Sequence, residues 1–165
     1  MQCQSFPRIR LAILMLFALL STPLVAATPA ADEVSVVDAY VRTVPPGQPN
    51  SAAFMQLHNN SATSHAIVKA QSPVSKVVEL HTHIMEDGMM KMRQVAQIDV
   101  PAQGSTTLAP GGLHVMLIGL TADLTPEQRV PVTLIFEDGS QTTIQAPVRK
   151  LHMHCLLYTS DAADE

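Results

Sequence analysis

The sequence predicts an all-β domain, a two-sheet β-sandwich or Greek-key barrel, on three observations. Eight or nine short runs rich in Val, Ile, Thr and Leu recur at regular spacing, each bounded by Gly, Pro, Asn, Asp or Ser clusters. No segment beyond the N-terminal apolar run shows the three-to-four-residue apolar period of a helix. The length of 165 residues suits one domain with a real core and is short for two of ordinary size.

The chain opens with Arg8 and Arg10, then an apolar run over 11–20, then small residues up to Ala27. Ten apolar residues cannot span a hydrocarbon core that needs about 20. The arrangement reads as a secretory signal peptide over 1–27, cleaved after Ala27, with no stable membrane insertion afterwards. Cys3 precedes the apolar run, unlike a lipoprotein cysteine, and is expected to leave with the signal. Residues 28–33 read as an Ala/Pro linker and residues 34–150 as the domain.

The expected strands begin at 34–42, Val/Tyr-rich with partial alternation. Three prolines and a glycine at 43–50 break any ladder before strands at 53–58 and 65–71. The run 77–83 alternates, setting Val77, Glu79, His81 and His83 on one face and Val78, Leu80 and Thr82 on a core-facing side. Asp87-Gly88 turns the chain into 90–95, where Met90 and Met92 share a face. Short strands at 97–100 and 105–108 follow. The Ala109-Pro110-Gly111-Gly112 loop leads into 113–117, with His114 and Met116 on one face and Val115 and Leu117 on the core side. A loop with one helical turn is expected at 121–128, and a hairpin closes the domain, 130–136 and 141–147 around Asp138-Gly139. His58 and His65 flank a turn and read as exposed polar residues.

Function is carried by four residues. His81 is followed after ten intervening residues by Met92, after twenty-one more by His114 and after one more by Met116. Thioether sulfur is a soft, uncharged donor and imidazole a borderline one, so the set favours Cu(I) over Zn²⁺. Thioethers form no disulfides, which suits an oxidising compartment. On or near the same face, His83 reads as a solvated surface histidine or a spare Cu(II) donor at a secondary site, and Met85 and Met90 as hairpin packing or a methionine-rich rim that hands copper over; His152, Met153 and His154 are further candidate donors beyond the last strand. Glu79 stands where a carboxylate can orient the His81 ring.

At Val78-Glu79-Leu80-His81-Thr82-His83, Gly88-Met89-Met90-Lys91-Met92-Arg93, Pro101-Ala102-Gln103-Gly104 and Leu108-Ala109-Pro110-Gly111-Gly112-Leu113-His114-Val115-Met116-Leu117, the sequence resembles the PCu(A)C family of periplasmic copper chaperones. The resemblance covers about 34–148. It implies a cupredoxin-like sandwich that binds Cu(I) through His81, Met92, His114 and Met116. It also implies delivery toward the CuA centre of cytochrome c oxidase, with the CuA-bearing subunit or a Sco-type thiol protein as acceptor. Some relatives carry a His/Met-rich tail that binds Cu(II), and residues 151–154 read as the opening of one. Residues 155–165 instead resemble a translated sequencing adapter and are set aside as non-native.

Other classes fare poorly. Residues 28–154 hold eight Lys/Arg against eleven Asp/Glu, a formal charge of −3, and the chain has no Trp and only two Tyr, which argues against nucleic acid as a partner. No nucleophile motif or phosphate-binding glycine loop supports an enzyme. Blue-copper electron transfer needs a cysteine ligand, and residues 28–154 contain none. Copper buffering with the same ligands, and a non-metal interaction sandwich with incidental His and Met, are the alternatives.

Overall fold

The computed structural model describes residues 27–150; the expected signal up to residue 26 and the 151–165 segment, with His152, Met153 and His154, lie outside it. One helical turn, α1 (Ala30–Glu33), precedes ten strands: β1 (Val34–Arg42), β2 (Asn50–Asn59), β3 (His65–Gln71), β4 (Ser75–Glu86), β5 (Met89–Gln94), β6 (Ile98–Val100), β7 (Ser105–Leu108), β8 (His114–Leu120), β9 (Arg129–Phe136) and β10 (Gln141–Arg149). They form an open β-sandwich, as the fold class predicts. One layer runs β5-β4-β8-β2-β1, with β7 also against β2; the other runs β10-β9-β3-β6. A short parallel contact, Val41 with Val148 and Arg42 with Arg149, joins the two.

The core lies between the layers and follows the strand alternation. Every second residue of β9, from Val130 through Val132 and Leu134 to Phe136, is buried, as are Val115 and Leu117 on β8 and Leu80 on β4. β1 alternates only partly. Asp38 adopts φ +51°, and the register jumps from Val37 opposite Gln56 to Tyr40 opposite Phe54. This bulge adds one residue to β1 and inverts the facing of everything after it. Val34 and Val36 point toward the core before the bulge and Val41 after it, so Tyr40 and Arg42 are turned to the outside.

Three expectations need correction. The 28–33 segment is not a free linker: Ala30 is fully buried, its N–H donates to Asp138 Oδ2 at 2.8 Å, and the Ala31 N–H donates to Ser140 Oγ at 3.0 Å. These bonds satisfy two of the donors that a helix start leaves orphaned. The 121–128 loop contains no helix; Gln128 N–H donates to the Thr125 carbonyl around a single turn at Pro126-Glu127. His65 is buried, not exposed. Its Nδ1 meets Glu137 Oε1 and its Nε2 meets Glu33 Oε2, both at 2.7 Å, so the ring donates from both nitrogens as an imidazolium. The ion triad ties α1 to β3 and to the β9–β10 turn.

Two predictions follow the packing. Burial alone would lower the His65 pKa, but the two carboxylates outweigh it and hold the ring above its ordinary 6.5. The His65 hydrogen bond keeps Glu33 below its ordinary 4.5, and at Glu137 the Ala66 N–H and His65 bonds overcome burial to the same effect. The imidazolium contribution is full below pH 6.5 and is lost as pH rises through the raised pKa. The carboxylate contributions are full above pH 4.5 and are lost as pH falls through the lowered values. Thermal melts across pH should therefore show the triad's stabilisation complete between these limits, and His65→Ala should lower the midpoint there and flatten the alkaline decline. In urea, Leu117→Ala should cost about 2–5 kcal/mol through the cavity it leaves.

Candidate metal centre

The donor residues share the outward face of the first sheet, at the end where β8 begins. Pairing of β4 with β8 puts His81 directly opposite His114 and Glu79 opposite Met116. Pairing of β4 with β5 puts His83 opposite Met92 and Met85 opposite Met90. Residues opposite one another project to the same side, so a single face carries all eight. The β4–β5 turn requires both its residues in the left-handed region, Asp87 at φ +54° and Gly88 at φ +74°, the type I′ geometry that Asp-Gly supplies and that fixes this register.

The loop before β8 completes the arrangement. Gly111 sits at φ +85°, where a side chain would be strained, and the chain turns tightly enough for the Gly112 N–H to donate to the Ala109 carbonyl at 3.0 Å. The Gly112 carbonyl then faces His114 and accepts its Nδ1–H at 2.9 Å. With Nδ1 donating, Nε2 carries the lone pair. Burial holds His114 below the ordinary imidazole pKa, and the nearby His83 and His81 rings act in the same direction. A neutral ring with one committed nitrogen is the form that binds a metal.

His81 has the complementary arrangement. Its Nε2–H donates to Glu79 Oε2 at 2.8 Å, which leaves the lone pair on Nδ1. That Nδ1 is buried and has no hydrogen-bond partner. An unpaired buried acceptor of this kind costs about 1–3 kcal/mol unless something occupies it. The ring centres of His81 and His114 lie 5.8 Å apart, and those of His83 and His114 5.1 Å apart. Two imidazoles sharing one ion at about 2.0 Å per nitrogen hold their centres about 5–6.5 Å apart. Both pairs meet that distance, but only the His81–His114 pair has a strong acceptor on each second nitrogen; His83 Nδ1 is 3.5 Å from the Gly112 carbonyl.

His83, Met90, Met92, His114 and Met116 line one cavity of 290 Å³. His81 is not part of its wall and stands beside it, while Met85 lies out on the hairpin. Sequence reasoning did not single out Phe54 and Arg42, which also line the cavity; Phe54 packs 6.1 Å from the His114 ring and 5.3 Å from Tyr40. The β1 bulge brings Tyr40 and Arg42 to this face, and the broken alternation at 37–41 was the available signal for it. Among the described residues no group of three or more His, Cys, Asp or Glu is placed to hold a metal ion. The thioethers of Met92 and Met116 lie on the same face as the imidazoles.

A family model described as "Putative lipoprotein LpqE-like" matches residues 34–148. A putative lipoprotein, Lxx21020, of Leifsonia xyli subsp. xyli is 35% identical over 130 residues, covering 77% of each chain. The chain belongs to the LpqE-like family, which is the PCu(A)C family. Another similar protein is DR1885 from Deinococcus radiodurans. Its CuI-DR1885 solution structure is 33% identical, covers 76% of this chain and 82% of that one, and superposes with a TM-score of 0.58. The copper-bound PCuAC domain from PmoF2, at 21% identity, covers 76% of this chain and all of its own, with a TM-score of 0.63, and shares the PCu(A)C fold.

The hydrogen bonds make one prediction. In ¹⁵N NMR of the metal-free PCu(A)C protein, His114 should be neutral at pH 7 in the Nδ1–H tautomer and should protonate below the ordinary 6.5. An Nε2–H ring, or protonation above that value, would contradict the geometry.

Proposed function

We propose that this domain is a copper chaperone that binds one Cu(I) through His81 Nδ1, His114 Nε2 and the Met92 and Met116 sulfurs, and passes it on by ligand exchange without catalysis. The observation that carries the reading is the orphaned, buried His81 Nδ1, on a ring fixed by Glu79 beside His114. The donor set is uncharged, so a monovalent ion adds only its own charge to a partly buried face. Two soft sulfurs against two imidazoles select Cu(I) over Zn²⁺. The 33% identity to DR1885, whose structure is that of a CuI form, supports the same metal.

Transfer requires no change of oxidation state. A donor from the acceptor takes up the metal as one thioether leaves, and the neutral ligands need release no proton. Met92, 43% exposed, is the first to be displaced, whereas His114, 2% exposed, is the last. We place the exchange in the periplasm, after export by the N-terminal signal, with the CuA-bearing subunit of cytochrome c oxidase or a Sco-type thiol protein as acceptor. Among the described residues no helix is long and apolar enough to cross a membrane.

Titration of the protein with Cu(I) against a chromophoric chelator tests the site. One tight equivalent is expected, with affinity falling sharply in Met92→Ala and His114→Ala. Glu79→Ala should weaken it about 10–100-fold by freeing the His81 ring. Binding indifferent to His114→Ala would overturn the assignment, and failure of the loaded protein to metallate either acceptor would leave storage rather than delivery.

A further inference from the structure

The β4–β5 ribbon continues the donor face well beyond the four proposed ligands. Successive cross-strand pairs run from His81 opposite Gln94, through His83 opposite Met92, to Met85 opposite Met90 at the tip. Exposure rises along this path, from 2% at His114 to 43% at Met92, 60% at Met90 and 68% at Met85. The far side of β5 pairs with no other described strand. The reverse face of the ribbon carries what a solvated ribbon ordinarily shows, with Glu86 in ion pairs to Arg93 at 2.6 Å and Lys91 at 3.2 Å. Core packing does not account for Met85 and Met90, because both side chains are mostly exposed.

A buried pair of imidazoles creates a kinetic problem for a metal that arrives already ligated. The ion cannot reach His114 while it keeps all its incoming donors, and a bare Cu(I) is too costly an intermediate. Each outgoing donor must be replaced by one already within reach. His83 is placed for this, since its ring stands 5.1 Å from that of His114 and it lines the same cavity as Met90 and Met92.

We propose that His83, Met90 and Met85 form an outer position for soft monovalent cations, Cu(I) or Ag(I), linked to the inner set through Met92, at which the ion is caught first and held last. The inference rests on the copper reading above and adds a second location to it. The ion remains monovalent throughout; a chelator donor leaves as a thioether or imidazole lone pair takes its place. Met89 pairs with Glu86 and faces the other side, so it has no part.

An intermediate position speeds passage in both directions and leaves the inner equilibrium unchanged, which separates it from a ligand of the inner set. The experiment is stopped-flow exchange of Cu(I) between the protein and a chromophoric chelator, in both directions, for the natural sequence, Met85→Leu/Met90→Leu and His83→Ala. Leucine preserves bulk and removes sulfur, and unchanged thermal midpoints verify folding. Loading and release should both slow about tenfold in each variant, with the dissociation constant unaltered. Unchanged rates would overturn the proposal, as would a weakened dissociation constant with normal loading, which would make these residues inner ligands. Failure of the copper reading itself appears separately, as an equilibrium affinity insensitive to His114→Ala, and removes the outer position with it.

Discussion

The pairing of β4 with β8 is the constraint on which both the core and the donor face depend. The same register that sets Leu80 against Val115 and Val78 against Leu117 on the inside sets His81 against His114 and Glu79 against Met116 on the outside. A slip of one residue in either strand would exchange the two faces. Exposing Leu80, Val115 and Leu117 would cost roughly 1.5–3 kcal/mol each. Their sum approaches the whole stability of a typical domain, about 5–15 kcal/mol. Hydrophobic burial thus holds the His81 and His114 rings side by side on the other face, their centres 5.8 Å apart.

Much of this was legible in the residues. Alternation over 77–83 and 113–117 placed the donors and the core-facing residues on the faces they occupy, because half-buried strands advertise their facing with a period of two. Asp87-Gly88 announced the hairpin, since few other dipeptides accept two left-handed residues in succession. The sequence-based strands fell one to three residues short at several ends, as at β2, β4 and β8, where Asn50, Glu86 and Leu120 continue the ladder without apolar alternation to mark them.

The rest depended on contacts between distant segments. Nothing local indicated that the Gly112 carbonyl would accept the His114 proton, because that bond needs the loop's three-dimensional path. Tyr40 and Arg42 joined the donor face through a bulge at Asp38, and a bulge shows in sequence only as a flaw in alternation. His65 was read as an exposed polar residue because its two carboxylate partners lie 32 and 72 positions away along the chain. The Ala/Pro composition of 28–33 hid a helical turn whose first N–H groups are received by Asp138 and Ser140, more than a hundred positions away.

The separation of core from donor face also bears on the empty protein. Small zinc domains assemble around their ion and collapse without it. Here the buried side chains of β2, β8 and β9 close on one another on the opposite side of the sheet from His81, His83, Met92 and Met116. The scaffold is therefore self-sufficient, and giving up the ion requires no unfolding. A carrier built this way survives its own unloading and can return for another round, so a single molecule can serve repeatedly instead of being consumed with its load.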